Sequence, residues 1–461
     1  MQETSDHPRG IRTIDESSEL LLHGLSQLGS QVQTCEEDKE FCGDTVGQKD
    51  RSFSLAYLTI SCSVLQKVTN DREKNRKSVL IACFSDPSAD PRPSRMVRFF
   101  SELHFAVDVL GYRCRENPAI RHWFALEVPK FSLLARVRRY FRGLIVSLGI
   151  RVFPWQRLRN WLNDYRFKLT GFRQVLISSN YDYIVVQDLQ MLPLLLGCKR
   201  GAKVVFDARE FYPKQNEESL KFRLLEQPER YRLCREYLPA CDYLLTVSDG
   251  LAKLYENELG LVAKVFRSVP VSQAIPFVDP LPDKVRMVHH GAANRNRGLE
   301  MMIEIVRSLN DRFTLDFYLV GSASYVKKLK EIALDCPRIR FRKPVEINDI
   351  VQMLGSYDVG FFYVEPSTLN LRHCLPNKLF EFIQAKLAVV IGPSPDMAQI
   401  VDRYECGFVG SGFSVEDMVR VMETITQPNL RRAKLNSEEA AKSLCFEEEK
   451  KVLMAEFGMN A

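Results

Sequence analysis

The chain has 461 residues, of which 45% are apolar and 26% charged, and its formal net charge is +6. This length exceeds what a single hydrophobic core supports, so we predict two domains. No run approaches the ~18 apolar residues of a spanning helix, and Met1 to Glu19 lacks the apolar core of a signal peptide. The 12 cysteines are scattered without a CxxC pair. They predict reduced thiols in a cytoplasmic protein and exclude a disulfide framework or a zinc site.

Residues 1–77 form a polar head with little periodicity. We expect this head to be poorly ordered, either as a tail or as a segment that docks on a partner. Beyond it, alternating strands and helices predict a first domain over 78–268 and a second over 285–430. The proline-rich stretch 269–284 lacks periodicity and is predicted to be the linker. Residues 431–461 are predicted to be terminal helices, with one helix from Glu438 to Met454.

The first domain opens with a predicted strand, Val79 to Phe84, followed by a loop rich in proline and serine. Ser94 is expected to cap a helix that carries Arg95. A later strand ends at Asp188. This order is typical of a doubly wound parallel sheet, in which ligands bind at the carboxyl ends of the strands. Arg95 and Asp188 are therefore candidates for a substrate contact, although a surface arginine and a loop cap explain them equally well.

The segment Lys130 to Lys168 holds ten basic residues and one acidic residue, a net charge of +9 in a chain that totals +6. Its apolar residues recur at helical spacing, a pattern typical of a helix that lies on an anionic membrane surface. Nucleic-acid binding is one alternative, but no nucleic-acid fold signature accompanies the charge. A helix with a solvated basic face is the other. We predict membrane docking through six residues: Arg136, Arg138, Arg139, Arg142, Trp155 and Trp161.

The second domain begins with a strand, Val285 to His289, and the loop HGAANRNRG. Gly291 permits a sharp backbone turn there, and a helix is expected to start near Gly298. Arg295 and Arg297 precede this helix and are suited to hold a diphosphate through charge-assisted hydrogen bonds.

A loop, a helix and a short buried strand are predicted for the stretch from Asn370 to Pro393. Lys378 and Glu381 lie three residues apart and so share one helix face. Near a helix N-terminus, a lysine suits a phosphate, and a glutamate beside it suits a hydroxyl of a sugar or ribose. An ordinary helix–strand unit with a surface Lys–Glu pair explains the same spacing.

The sequence LPNKLFEF followed by AVVIGP resembles the donor-site segment of family 4 glycosyltransferases, in the branch with a Pro-Asn-Lys-x-x-Glu motif. That family has the GT-B fold, two Rossmann-like doubly wound domains facing a cleft, with a terminal helix that crosses back to the first domain. Other segments resemble the same family in the same order: VVFDAREFYP, CDYLLTVSDGLAKLYENELG, MVHHGAANRNRGLEMMIEIV, FYLVGS and YDVGFFYVEPS. The resemblance covers residues from about Lys77 to Val419.

The resemblance implies which residues do the chemistry. It implies Glu381, Lys378 and Arg297 as catalytic residues, with Arg297 at the family's basic position before its second glycine. On the donor side we predict Gly291, Arg295, His373 and Asn377, and on the acceptor side Asp188, Asp207, Glu210 and Arg95. Three positions depart from the family pattern, because Ala292 replaces an arginine, His373 a glutamate and Arg209 a histidine.

The function implied is a metal-independent, retaining glycosyltransferase of the hexosyltransferase type, which needs no cofactor. It would move a sugar from a nucleotide-sugar donor to a glycan or lipid-linked acceptor in polysaccharide biosynthesis. We expect a cytoplasmic protein, peripheral at the inner face of an anionic membrane, without nucleic acid as a partner. A sugar-nucleotide epimerase of the same fold and a catalytically silent glycosyltransferase-like membrane adaptor are the alternatives.

Overall fold

The computed structural model describes residues 76–127 and 155–459. The predicted head, apart from its last two residues, and the four arginines assigned to membrane docking lie outside these ranges. The strands are β1 (Ser78–Ala82), β2 (Ala106–Tyr112), β3 (His122–Leu126), β4 (Tyr183–Val186), β5 (Lys203–Ala208), β6 (Tyr243–Thr246), β7 (Lys264–Val265), β8 (Val285–Ala292), β9 (Phe313–Val320), β10 (Ile339–Arg342), β11 (Val359–Phe362), β12 (Ala388–Ile391) and β13 (Gly407–Val409).

The helices of the described ranges fill the connections between these strands. They are α1 (Pro91–Glu102), α2 (Gln156–Arg166), α3 (Arg173–Ser178), α4 (Leu192–Leu196), α5 (Leu220–Leu225), α6 (Gln227–Tyr237), α7 (Asp249–Leu259), α8 (Leu299–Ser308), α9 (Ala323–Ile332), α10 (Ile350–Leu354), α11 (Leu369–Arg372), α12 (Asn377–Gln384), α13 (Pro395–Tyr404), α14 (Val415–Glu423), α15 (Gln427–Ser443) and α16 (Phe446–Glu456). None of them is long and apolar enough to cross a membrane.

The described strands form two parallel sheets, which confirms the prediction of two doubly wound, Rossmann-like domains. The N-terminal sheet has the order β3-β2-β1-β4-β5-β6-β7. Its first strand lies near the centre, with Val79 beside Val107 of β2 and Tyr183 of β4. The strand order reverses between β1 and β4, and such a switch point is where this architecture binds ligands.

The C-terminal sheet has the order β10-β9-β8-β11-β12-β13 and reverses between β8 and β11. Ala388 and Val390 of β12 belong to one apolar cluster, and Val389 and Ile391 belong to a second, so the strand is buried along its whole length on both faces. A strand buried on both faces requires the unbroken apolar run that the sequence shows from Ala388 to Ile391. The predicted short apolar strand therefore occupies an interior position in the sheet.

The structure corrects two helix boundaries. Helix α1 begins at Pro91 and is capped by Asp90, whose carboxylate accepts a hydrogen bond from the backbone N–H of Arg92 at 3.3 Å. Ser94, the expected cap, lies inside the helix. Proline occupies two positions of the first turn, where its missing N–H is tolerated, so the helix starts earlier than the serine suggested.

The helix expected from Glu438 to Met454 is also interrupted, because α15 ends at Ser443 and α16 begins at Phe446. Because of this break, the two helices pack against different domains. Gln384 of α12 donates a hydrogen bond to the carbonyl of Ala441 at 2.7 Å, which ties α15 to the C-terminal domain. After α16, the ring of Phe457 lies 4.8 Å from that of Tyr243 in the N-terminal sheet. The chain therefore returns to its first domain at its end.

Candidate active site

A cleft of about 940 Å³ opens at the carboxyl ends of strands from both sheets. The N-terminal domain contributes the loop after β1, residues 89–92, and the residues after β5, Arg209 and Glu210. The C-terminal domain contributes the end of β8 and the first turns of α12. Both sheets thus direct strand ends into one cavity, and this cavity is large enough for a nucleotide-linked sugar.

Helix α12 forms the cationic wall of the cleft. Leu379, Phe380 and Ile383 are fully buried against the C-terminal sheet and fix the orientation of the helix. On the opposite face of the same two helical turns, Asn377, Lys378 and Glu381 line the cleft. Pro376 occupies the N-cap position and provides no side-chain cap, so the first N–H groups of the helix are left for another acceptor.

The ammonium of Lys378 is held by neutral groups. Its Nζ lies 3.4 Å from Nε2 of His289 and 4.7 Å from the centre of the Phe362 ring. Burial lowers the pKa of Lys378 to about 7, and the nearby Arg297 adds to the effect. Gly291 has φ +115°, and a Cβ built there would lie 3.2 Å from Nζ. The glycine thus leaves space for the ammonium at the end of β8.

Arg297 and Arg295 occupy a short 3₁₀ turn, Arg295–Arg297, just before α8. Arg297 lines the cleft, and within the described residues its guanidinium forms no salt bridge. Arg295 does not line the cleft, because its guanidinium packs 4.9 Å from the centre of the Tyr325 ring. Of the two arginines singled out from the sequence, the structure therefore brings only Arg297 beside Lys378.

Glu381 is buried at the base of the cleft, and burial raises the pKa of its carboxyl to about 6. Arg95 and Lys378 oppose that rise by favouring the carboxylate. Oε2 of Glu381 lies 3.2 Å from Nε2 of His290, but the two atoms are not aligned for a hydrogen bond. Arg95 is buried in the N-terminal domain and donates to Oγ of Ser268 at 2.7 Å, while Ser268 itself lines the cleft.

His373 lies at the junction of the two domains, outside the cleft wall. Its Nδ1 lies 2.6 Å from Oδ2 of Asp396, and its carbonyl accepts from the hydroxyl of Ser248 at 2.7 Å. The other oxygen of Asp396 accepts from the backbone N–H of Gly250 at 2.7 Å. The predicted donor contact through His373 therefore has no support from its position. The carbonyl of His373 and the carboxylate of Asp396 instead join α7 to the C-terminal domain.

The residues predicted for the acceptor side lie among charge pairs in the N-terminal domain. Arg209 donates to Asp90 at 2.9 Å and lies 3.5 Å from Asp188, so it neutralises both carboxylates in part. Asp207 is fully buried beneath the cleft, where Nε of Arg92 donates to it at 2.9 Å. Neither Asp207 nor Asp188 lines the cleft, so among the predicted acceptor-side residues Glu210 is the one that does.

Glu210 stands at the cleft surface with a carboxyl whose pKa burial raises to about 7. Arg230 and Arg209 partly offset the burial, and the side chain of Gln215 donates a hydrogen bond to the carboxyl. A carboxyl that titrates near neutrality in a cleft is a common property of functional sites.

Sequence reasoning missed His289, His290 and Arg92. The signal for the histidines was present, since two polar residues end an otherwise buried strand at a switch point. Arg92 had no such signal, because its partner Asp207 lies 115 positions away in the chain.

Trp155 immediately precedes α2, and Trp161 lies within it. Their side chains are 66% and 53% exposed. The rings of Trp161 and Tyr165 stack at 5.5 Å, and Tyr165 is exposed as well. These aromatic side chains form an apolar surface on the N-terminal domain.

Two Rossmann-like domains that face each other across a cleft define the GT-B class of proteins, and this chain has that fold. Residues 284–427 match the family model of Glycosyl transferases, group 1. No curated protein matches the chain significantly. The family match spans the C-terminal sheet, including the residues that form the cationic wall.

Solved structures resemble the chain over most of its length. The sucrose-phosphate synthase of Thermosynechococcus elongatus is 10% identical, with a TM-score of 0.61 over 83% of this chain and 98% of that one. WaaG, a glycosyltransferase involved in lipopolysaccharide biosynthesis, is 13% identical, with a TM-score of 0.57 over 82% and 100%. An α,α-trehalose-phosphate synthase (UDP-forming) from Burkholderia xenovorans, in complex with glucose-6-phosphate, is 11% identical, with a TM-score of 0.56 over 83% and 100%. At these identities the likeness establishes the GT-B fold.

Proposed function

We propose that this protein is a glycosyltransferase that takes a sugar from a nucleoside-diphosphate sugar bound against the C-terminal domain. The carrying observation is the pair of cleft cations, Arg297 and Lys378, beside the uncapped N-terminus of α12. Three sources of positive potential then converge on one side of the cleft, an arrangement suited to a diphosphate. The match of residues 284–427 to the group 1 glycosyltransferase model supports the same assignment.

The proposed chemistry follows from the charge that develops on the leaving group. When the bond from the anomeric carbon to the diphosphate breaks, the diphosphate keeps the electron pair and gains negative charge. Arg297, Lys378 and the N–H groups of α12 would stabilise that charge, which is the function a divalent cation serves in other transferases. Glu381 would accept a hydrogen bond from a sugar or ribose hydroxyl. Retention of configuration and a hexose as the transferred sugar are part of the proposal and rest on the family resemblance.

We further propose that the acceptor is a glycan or a lipid-linked sugar at the cytoplasmic face of a membrane. The exposed aromatic surface of α2 supports this, because tryptophan and tyrosine favour the interface between lipid and water. The basic segment that leads into α2 supplies the complementary charge for anionic lipid.

Binding is tested first, by measuring the thermal midpoint with UDP, GDP, ADP, CDP and dTDP. A ligand at 100 times its Kd adds about 2.7 kcal/mol to the stability of the folded state, a readily measured shift. We expect one or two of the diphosphates to raise the midpoint and the corresponding monophosphates to do so less. The absence of any shift would contradict the proposal.

Turnover then separates the candidate activities. The sugar nucleotides of the selected base are incubated with the protein, with and without membrane extract as acceptor. Release of nucleoside diphosphate that grows with the acceptor indicates transfer. Conversion of the sugar nucleotide without release indicates an epimerase. Binding without either reaction indicates a silent scaffold.

Membrane docking is tested by sedimentation with vesicles of phosphatidylglycerol or of phosphatidylcholine. We expect stronger binding to the anionic vesicles, and a loss with salt, since exposed charges are screened beyond ~8 Å at physiological ionic strength. Replacing Arg136, Arg138, Arg139 and Arg142 with Gln should weaken binding by about 1 kcal/mol per residue at most. Equal binding to both vesicle types, unchanged by the four substitutions, would reject docking by charge.

A further inference from the structure

Two adjacent histidines lie near the carboxyl end of β8, beneath the charged pair of α12. His289 contacts Lys378, with 3.4 Å between Nε2 and Nζ, and His290 approaches Glu381, with 3.2 Å between Nε2 and Oε2. Each imidazole thus meets one of two oppositely charged side chains that lie three residues apart on a single helix. Both histidines are buried, with exposed fractions of 0% and 6%.

The position of the proton on His289 follows from its second contact. Nδ1 lies 3.0 Å from the carbonyl oxygen of Phe361, and a carbonyl oxygen can only accept. Nδ1 therefore carries the hydrogen, and Nε2 presents a lone pair to the ammonium of Lys378. Burial lowers the pKa of His289 well below its usual value, so the ring is neutral. Its ring also stacks on Phe362, which holds the imidazole in place.

Because the imidazole of His289 is a neutral acceptor, it does not compensate the charge of Lys378. A carboxylate in the place of His289 would orient the ammonium but would also cancel its charge. The imidazole orients the ammonium and leaves the full positive charge for a ligand. The other hydrogen atoms of the ammonium remain available to the cleft that Lys378 lines.

The second histidine, His290, lies beside Glu381 and can present a hydrogen-bond donor to it, whereas His289 presents an acceptor to Lys378. Burial, together with the nearby Lys378, lowers the pKa of His290 to about 3, so this ring is also neutral. In the described structure its Nε2 is buried and makes no hydrogen bond, and a buried polar atom left without a partner is costly. Oε2 of Glu381 lies 3.2 Å away, and a small rotation of either side chain would align it with an Nε2–H group. That bond would hold the carboxylate without neutralising it.

We propose that His289 and His290 are positioning residues with opposite tautomers, His289 accepting from Lys378 and His290 donating to Glu381. The pair would fix both charged groups of the donor site while leaving their charges unpaired for the donor. This inference rests on the proposed function, because it takes a sugar nucleotide as the ligand of the site.

The proposal is tested through the pH dependence of sugar-nucleotide binding. The groups facing Lys378 are Arg297, Glu381, Cys374 and the two histidines, and Arg95 faces Glu381 from α1. UDP-glucose, UDP-N-acetylglucosamine, GDP-mannose and ADP-glucose are suitable probes, since a diphosphate esterified at both ends lacks the ionisation near pH 6 of a phosphate monoester. With the full chain, affinity should rise as Glu381 ionises near pH 6 and fall as Lys378 loses its proton near pH 7.

Paired amide substitutions separate positioning from packing. Asparagine reaches the place of Nδ1 but not that of Nε2, whereas glutamine reaches the place of Nε2. His289→Asn should therefore move the basic limb of the profile down by about one pH unit, the equivalent of one hydrogen bond. His290→Asn should move the acidic limb up by a similar amount. The Gln variant at each position should keep the parent profile, and His104→Asn, which replaces an exposed histidine, is the control.

Each result decides a different claim. A parent that binds none of the four sugar nucleotides overturns the proposed function and this inference together. A parent that binds, with Asn and Gln variants that shift both limbs alike or leave both unmoved, overturns the positioning function alone. Should the Asn variants not fold, nitrogen-15 spectra of labelled histidine in the parent decide the matter. They should show Nδ1–H for His289 and Nε2–H for His290, and equal tautomers would overturn the proposal.

Discussion

The two walls of the cleft differ in whether their positively charged side chains form salt bridges with carboxylates. In the N-terminal domain, Arg92 is paired with the buried carboxylate of Asp207, and Arg209 is shared between Asp90 and Asp188. In the C-terminal domain, Arg297 and Lys378 form no salt bridge with any described residue. The N-terminal arginines thus stabilise the protein's own carboxylates, and the C-terminal cations are left for an external anion.

This difference in charge pairing predicts which wall of the cleft each proposed substrate contacts. An unpaired cation in a buried site costs free energy in the free protein, and an anionic ligand recovers that cost on binding. A charge that already has a partner offers a ligand much less. We therefore expect the diphosphate on the C-terminal wall and a hydroxyl-bearing acceptor beside Glu210 on the N-terminal wall.

The largest effect should come from breaking a pair on the N-terminal wall. Arg92→Met leaves the carboxylate of Asp207 buried without its partner, and such a loss typically costs about 3–5 kcal/mol of folding free energy. Chemical denaturation measures this cost. Lys378→Met is the matched control, because this cation forms no salt bridge with a carboxylate of the described residues and is itself destabilised by burial, so its removal should cost little stability or none. Equal destabilisation by both variants would show that the two walls do not differ.

The next effect concerns the affinity for sugar nucleotides. Lys378→Ala and Arg297→Ala should each weaken binding by about 1.5–3 kcal/mol, the value of a charge-assisted hydrogen bond. Arg209→Ala should weaken it less, because its guanidinium is committed to two aspartates. Calorimetric titration with UDP-glucose, GDP-mannose and ADP-glucose distinguishes the three variants. Unchanged binding in both C-terminal variants would remove the diphosphate from that wall.

The pH dependence of binding sharpens the assignment to Lys378. Its pKa of about 7 means that the free protein loses the ammonium as the pH rises through 7, whereas a bound diphosphate favours the ammonium. Affinity should therefore fall by up to about tenfold per pH unit above 7, with uptake of a proton on binding. Titrations in buffers of different ionisation enthalpy measure that proton. Proton release at pH 8, or an affinity independent of pH from 7 to 9, would contradict the assignment.

A smaller effect is expected for the stability of Glu381→Gln. The folded-state pKa of about 6 lies above the ordinary value of 4.5, so ionisation of Glu381 destabilises the fold as the pH rises through this range. The glutamine variant should match the parent near pH 4 and exceed it by on the order of 1 kcal/mol at pH 8. Thermal midpoints at both pH values test this. A variant less stable at pH 8, yet normal in transfer per folded molecule, would make Glu381 a structural residue.

Much of this arrangement was readable from local patterns. The parallel sheets followed from alternating strands and helices, and the cleft-facing side of α12 followed from its apolar spacing. The cleft position of Lys378 and Glu381 agrees with their shared helix face. By contrast, Arg295 and His373 were singled out from similar loop positions, but their side chains pack on Tyr325 and Asp396. Spacing reports the face of a helix well and the direction of a loop side chain poorly.

The sequence alone determined the two sheets, the strand ends that meet at the cleft and the helix that carries the charged pair, because these depend on periodicity and capping over a few residues. The tertiary structure alone decided which charges have partners. Arg92 meets Asp207, 115 positions away, and Lys378 meets His289, 89 positions away. Whether a cation is neutralised or left available depends on such distant pairs and on burial, and no local pattern in the chain records either.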